Sequence, residues 1–192
     1  MIGPGFASVL ARARDGDELA WSALYDDLAG QLLGYLRGRG APEPEDQVGE
    51  TFLQIARDLP SFTGDEAGFR SWVFTIAHRR MLDASRSRRR RPVGLLPAER
   101  LSAVAEVLED GASTEMEEAV ARMADAELLT GLLAHLSEEQ REVLLLRFGS
   151  DLDTATVGEI TGRSPNAVAA ITRRGLARLR EVIEAERSVT SR

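Results

Sequence analysis

The chain has 192 residues, enough for one domain or two small ones that each bury a core. Its 24 basic residues are all arginine and stand against 31 acidic ones, a formal charge of −7, and it holds no cysteine. That composition excludes disulfides, a thiol nucleophile and cysteine-ligated metal or iron–sulfur sites. The first residues lack the pattern of a secretion signal, and no stretch approaches the ~18 apolar residues of a membrane span, so a soluble, cytoplasmic protein without membrane insertion is expected.

Apolar residues recur at helical spacing, as in Leu19, Leu24, Leu28, Leu32 and Leu36, and strand-like alternation is hard to find. The fold therefore reads as all-α. Gly38, Gly40, Pro42 and Pro44 end the first long helix, and a second runs from about Glu45 to Leu59 with Val48, Phe52, Ile55 and Leu59 on one face. Pro60, Gly64 and Gly68 mark a loop; a third helix starts near Phe69 and continues until Pro92 forbids it. On that helix Phe69 and Trp72 share the apolar side with Val73 and Ile76, which suits core packing better than base stacking, and His78 reads as a polar helix position. Residues 5–92 form a first domain, 93–115 an acidic, flexible linker and 116–185 a second domain.

The second domain carries sharper signals. Ser137 and Gln140 form a capping box ahead of VLLLRF. A short helix spans Thr154 to Thr161, with Val157 and Ile160 as its apolar pair; Gly162 supplies a left-handed turn, and Ser164 with Pro165 opens another helix. This is the spacing of a helix-turn-helix. On the last helix Val168, Ile171, Gly175, Leu179 and Val182 fall in one sector, with Gly175 admitting a close neighbour. Asn166, Ala170, Arg173, Arg174 and Arg180 face away, an amide suited to adenine and guanidinium groups suited to guanine or phosphate.

Charge is distributed unevenly. Arg79 to Arg91 holds seven arginines and one acid, and Arg163 to Arg180 holds five arginines and none; Val93 to Glu127 between them has nine acids and two arginines. Unpaired like charges at the density of Arg86 to Arg91 await a polyanion.

The segment PEPEDQVGETFLQIARDLPSFTGDEAGFRSWVFTIAHRRMLDASRSRRRR resembles region 2 of the extracytoplasmic-function (ECF) group of bacterial RNA polymerase sigma factors. LSEEQREVLLLRF with VGEITGRSPNAVAAITRRGLARLR resembles their region 4. The likeness spans about residues 15–92 and 120–184, and it implies two small helical domains, a region 2-like bundle and a region 4-like helix-turn-helix.

The resemblance implies a factor that binds core polymerase and directs promoter recognition and melting, while polymerase performs the chemistry. Asp46, Gln47, Glu50 and Gln54 would meet the clamp coiled coil of the largest subunit, and the polymerase flap is a further contact. Ser61, Thr63 and Asp65 would read an extruded −10 base, and Arg79, Arg80, Arg86 and Arg88 would follow the phosphates of that strand. Ser164, Asn166, Ala170, Arg173 and Arg174 would present the −35 reading helix. Thr161 and Gly158 depart from the leucine and alanine common in the group, and Ala169, Ala170 and Ile171 stand where polar or basic groups are frequent, which points to modest −35 discrimination. An anti-sigma factor is a further possible partner; no metal or cofactor is expected.

Two other readings compete. A helix-turn-helix regulator or sigma-like adaptor would bind DNA without supporting initiation. An enzyme lacks support, because no nucleotide-loop or zinc-protease motif occurs and His78 and His135 are far apart in sequence.

Overall fold

The computed structural model describes residues 1–90 and 130–190, which are helical with no strand among them. The segment 93–115, read as a linker, lies outside the described residues.

Asp17 caps the first long helix by accepting from the backbone N–H of Leu19 and Ala20 at 2.9 and 3.1 Å. Ahead of it a short helix, α1 (Phe6–Arg14), which the sequence pattern left unassigned, buries Phe6, Leu10 and Ala13. The long helix α2 (Glu18–Gly38) buries Ala20, Leu24, Leu28, Leu32, Tyr35 and Leu36. Leu19, expected on this stripe, is 75% exposed. Four residues back from Leu24 is Ala20, whereas Leu19 at five residues' spacing points ~140° off the core direction.

Gly40 turns the chain at φ 72°, and Pro44 opens α3 (Pro44–Asp58) after Glu43 at φ 48°. Val48, Phe52, Ile55 and Leu59 are buried as their spacing predicts. Asp65 then accepts from Gly68 N at 2.8 Å, so α4 (Glu66–Arg90) begins one turn earlier than the apolar pattern suggests. Phe69, Val73, Phe74 and Ala77 of α4 close the core, and the Phe6 and Phe69 rings lie 5.6 Å apart. Such buried rings bring large apolar area to a small bundle.

In the second unit a helical stretch at 130–134 precedes α5 (Glu138–Leu144), whose capping box is present in both halves: Ser137 Oγ accepts from Gln140 N at 3.2 Å, and Gln140 Oε1 accepts from Ser137 N at 3.1 Å. The helix continues as a π turn, Leu145–Gly149, not foreseen from the sequence. Asp153 caps α6 (Thr154–Thr161), Gly162 takes φ 68°, and α7 (Pro165–Thr190) begins with Ser164 Oγ accepting from Ala167 N at 3.2 Å. Val168, Ile171, Gly175 and Val182 are buried. A Cβ on Gly175 would stand 2.9 Å from Leu144 Cδ1, so α7 and α5 meet closely at the glycine and a side chain there would have to displace Leu144.

The two units touch along a seam. The C-terminal end of α2 packs against the π turn, and α4 packs against α6. Gly38 lies in this seam: a Cβ there would lie 2.8 Å from both Leu145 methyls and 3.3 Å from Leu133 Cδ1.

Candidate nucleic-acid interface

The helix-turn-helix is built from α6 and α7. Val157 and Ile160 anchor α6 in the core, the left-handed Gly162 reverses the chain, and the Ser164 cap aims the start of α7 outward. Ser164, Asn166, Arg173 and Arg174 are exposed, whereas Ala170 is half-buried. A groove of about 420 Å³ beside this face is lined by Arg147, Thr154, Ala169, Arg173, Leu176 and Arg180. Arg147 belongs to this basic surface but stands in the π turn, where the apolar run VLLLRF conceals it; its Nη1 donates to Leu152 O at 2.5 Å.

Both departures in α6 acquire a physical account. Thr161 Oγ1 donates to Val157 O at 2.7 Å, which satisfies a hydroxyl in a half-buried position. A Cβ on Gly158 would stand 2.6 Å from the backbone oxygen of Arg163, and Arg163 N donates to Gly158 O at 2.8 Å. The turn is folded so tightly onto α6 that alanine has no room there.

In the first unit, Asp46 and Glu50 are exposed on α3. Gln47 folds back, its Nε2 donating to Pro42 O at 2.6 Å, and Gln54 is half-buried beside Arg80. Arg80 Nη2 lies 2.9 Å from Glu50 Oε2, so residues assigned to different partners form one ion pair.

The loop after α3 is pinned rather than loose. Phe62 stacks on Trp72 at 5.0 Å and 24°, which makes Trp72 a structural ring as expected. Arg14 of α1 donates through Nε to Leu59 O at 3.3 Å and through Nη2 to Phe62 O. Ser61 Oγ donates to Asp58 O at 2.7 Å, and Asp65 caps α4. Thr63 is exposed at the tip between them, and Arg79 is exposed on α4. The backbone of Arg86 and Arg88 continues α4, and their side chains lie outside the described residues.

His78 corrects a sequence reading. It is 6% exposed, its Nδ1 lying 3.3 Å from both Tyr35 Oη and Glu142 Oε1 across the seam. Glu142 is also buried, and it receives Arg39 Nη2 at 3.0 Å and Arg163 Nη1 at 3.2 Å. Burial pushes His78 below its ordinary value; Glu142 opposes that, and Arg39, Arg163 and Arg79 reinforce it. Burial also pushes the Tyr35 phenol above its usual range. The signal for this cluster was faint: a glutamate at 142 directly before an apolar run, and an arginine between two glycines at 39. Arg70, 5% exposed, is a second buried arginine the sequence did not single out, paired with Asp27 at 3.1 Å and bonded to Gln31.

Comparison with known proteins gives this surface its context. Residues 22–91 match the family model for sigma-70 region 2, and residues 126–179 match that for sigma-70 region 4. The chain is 31% identical over 185 residues to the ECF RNA polymerase sigma factor ShbA of Streptomyces griseus, covering 92% of this chain and 94% of that one. It belongs to the ECF RNA polymerase sigma factors. Its function is that of a sigma factor, and its relatives are initiation factors rather than enzymes.

A second ECF relative, BldN of Streptomyces coelicolor, is 27% identical over 162 residues, covering 83% of this sigma factor and 59% of BldN. Among solved structures, CnrH in complex with the cytosolic domain of CnrY matches with a TM-score of 0.63 at 22% identity, covering 92% of this chain and 96% of that one. Bartonella quintana RpoE, in complex with the anti-sigma factor NepR, matches at 0.51 and 20%, over 83% and 98%. These likenesses support the all-helical, two-region fold. Among the described residues no helix is long and apolar enough to cross a membrane.

Proposed function

We propose that this sigma factor, acting in the cytoplasm, divides its work between residues 5–92, which hold core polymerase and open the −10 element, and residues 116–185, which hold the −35 element. The observation that carries the reading is the outward face of α7, where Asn166, Arg173 and Arg174 are exposed behind the Ser164 cap. An amide and two guanidinium groups on one helix supply base-edge and phosphate contacts without further rearrangement.

Asp46 and Glu50 are the carboxylates of α3 available to basic residues of the polymerase clamp, and Gln47 and Gln54 flank them. The flap meets the second unit. On the −10 side Thr63 is the loop residue best placed to meet an extruded base, because Ser61 and Asp65 already serve the loop's own hydrogen bonds. Arg79 and Arg80, continued by Arg86 and Arg88 along α4, track the strand's phosphates. An anti-sigma factor, the partner of the Bartonella relative, is proposed for this chain too.

The test is in vitro transcription with core polymerase from the source organism on a genomic library, with start sites mapped. Start sites that appear only with this chain and share −10 and −35 sequences support the reading. DNA binding by the chain alone with no transcription on adding core would instead make it a regulator or adaptor.

A further inference from the structure

Arg14, in the last turn of α1, reaches away from its own helix to the loop that follows α3. Phe62 leaves the short 3-10 turn Leu59–Ser61 in an extended conformation, φ −67° and ψ 135°, and its carbonyl belongs to the peptide that leads to Thr63. Arg14 donates to that oxygen through Nη2 and, through Nε at 3.3 Å, to Leu59 O three residues earlier. The same Leu59 oxygen accepts from Phe62 N at 3.2 Å. A guanidinium is a rigid planar fork, so bonds to two carbonyls fix both of them relative to α1.

The consequence falls on Thr63. A peptide unit is planar, so an oxygen held at Phe62 also sets the direction of the N–H and Cα of Thr63. The flanks of the loop are held independently. The Phe62 ring lies edge-on to Phe69 at 5.4 Å and stacks on Trp72, and a Cβ on Gly64 would stand 3.0 Å from Phe62 Cζ. Beyond the loop, the Glu66 carboxylate accepts from the backbone N–H of Ile2 at 2.6 Å and of Gly3 at 3.0 Å. Residues 2–14 therefore grip the chain on both sides of the exposed Thr63, and they precede the residues 22–91 that match region 2.

We propose that Arg14 is a positioning residue for −10 readout: by holding the Phe62–Thr63 peptide it aims the Thr63 side chain at the extruded base. This role rests on Thr63 being the −10 reader, as proposed above. A side chain that recognises a base must be held to within about 0.5 Å of its productive position, and a loop tip lacks the hydrogen-bonded ladder that does this within a helix. If Thr63 without Arg14 is correctly aimed about a tenth of the time, apparent affinity for the opened strand falls about tenfold. Arg14 is exposed, so water replaces it at both carbonyls and its removal leaves no dry polar group.

The test uses holoenzymes made from the full chain carrying Arg14→Met, Arg14→Lys, Thr63→Ala, or Arg14→Met with Thr63→Ala. Promoter opening is measured on a randomised −10 library at two salt concentrations, and core affinity in parallel. Arg14→Met is expected to relax preference at the same −10 position as Thr63→Ala and to lower opening of the preferred sequence about tenfold, with core affinity and salt slope unchanged. Arg14→Lys, which keeps a cationic donor, should restore most of both. The double variant should be no less selective at that position than Thr63→Ala alone, because a positioning residue acts only through the one it positions. If Arg14→Met loses helicity, Arg14→Gln, too short to span both carbonyls, is judged by the same outcomes. Wild-type preference in the Arg14 variant, or a change at a position that Thr63→Ala leaves alone, overturns the proposal. So does a uniform loss over all sequences with the salt slope reduced by about 0.7, which would make Arg14 a phosphate contact. Wild-type preference in Thr63→Ala and Arg14→Met alike overturns the reading of the loop itself.

Discussion

Arg80 Nη2 stands 2.9 Å from Glu50 Oε2 and its Nη1 lies 3.5 Å from Gln54 Oε1, so α4 is tied to α3 by side chains that polymerase and promoter would each claim. Both partners are partly exposed, and such pairs contribute about 0–1 kcal/mol, so either ligand can break the pair at little cost.

The first prediction follows from that weakness. Glu50→Arg should lower core affinity with helicity retained, and a double-mutant cycle on thermal stability between Glu50→Gln and Arg80→Gln should return a coupling of about 0.2–1 kcal/mol. Arg80→Gln alone should spare core binding and impair promoter opening. Equal core binding by wild type and Glu50→Arg would remove α3 from the polymerase interface.

The second prediction concerns the tight turn of the helix-turn-helix. With Gly158 Cβ space closed by the Arg163 backbone oxygen at 2.6 Å, Gly158→Ala must shift main chain rather than a side-chain tip. Overpacking of this kind costs about 1–3 kcal/mol, against the gain of up to ~1 that alanine brings to a helix elsewhere. Calorimetry of the variant should show a lower Tm; an unchanged or raised one would show that the turn relaxes.

How far the sequence led depended on whether a signal was local. The capping box at Ser137, the left-handed Gly162 and the Ser164 cap are written in residues adjacent to the helices they bound, and each is found in place. The start of α4 was misplaced because Asp65 sets it by a hydrogen bond, while the apolar pattern begins only at Phe69. Leu19 misled because a leucine one position off the stripe looks like a member of it. The seam was illegible for a different reason: Arg39, His78 and Glu142 each look like ordinary solvated polar residues until the chain brings them together across 103 positions of sequence between the first and last.

A third prediction uses that seam. His78 is held below its ordinary value of 6.5 by burial and by Arg39, Arg163 and Arg79, against the opposing pull of Glu142, and the raised phenol of Tyr35 lies at the same ring nitrogen, Nδ1, as Glu142. A base whose value is depressed in the folded chain takes up a proton on unfolding. The resulting penalty is absent above about pH 6.5 and grows as pH falls below it. Stability to chemical denaturation should drop between pH 7 and pH 5.5, and His78→Gln should flatten part of that dependence. A His78→Gln variant with the same pH dependence as wild type would show that the imidazolium–Glu142 attraction offsets burial.

The fourth prediction tests the Arg70 network at the centre of the first unit. Arg70 is nearly excluded from solvent and holds Asp27, itself largely buried, at 3.1 Å. Arg70→Ala removes that guanidinium and leaves the carboxylate to the N-terminal ammonium of Met1 at 2.5 Å, so the loss should fall below the about 3–5 kcal/mol of a buried charge left alone. The double variant Arg70→Met with Asp27→Leu should recover much of it. Chemical denaturation separates the cases, and equal stability of Arg70→Ala and wild type would mean that water replaces the arginine.

The last prediction addresses DNA selection by α7. Asn166, Arg173 and Arg174 face outward, Ala170 is half-buried, and Ala169 and Ala177 present only methyl groups, so few side chains can discriminate bases. An amide bidentate to adenine is worth about 1–3 kcal/mol of discrimination, whereas a phosphate-bound arginine weakens all sequences alike when lost. Asn166→Ala should therefore relax preference at one −35 position, and Arg147→Ala, in the groove beside the reading helix, should lower affinity uniformly and reduce the salt slope by about 0.9. These outcomes are read from a randomised −35 library bound by holoenzyme at two salt concentrations. If Asn166→Ala selects the same sequences as wild type, α7 holds the duplex without reading it, and promoter choice falls to the loop around Thr63.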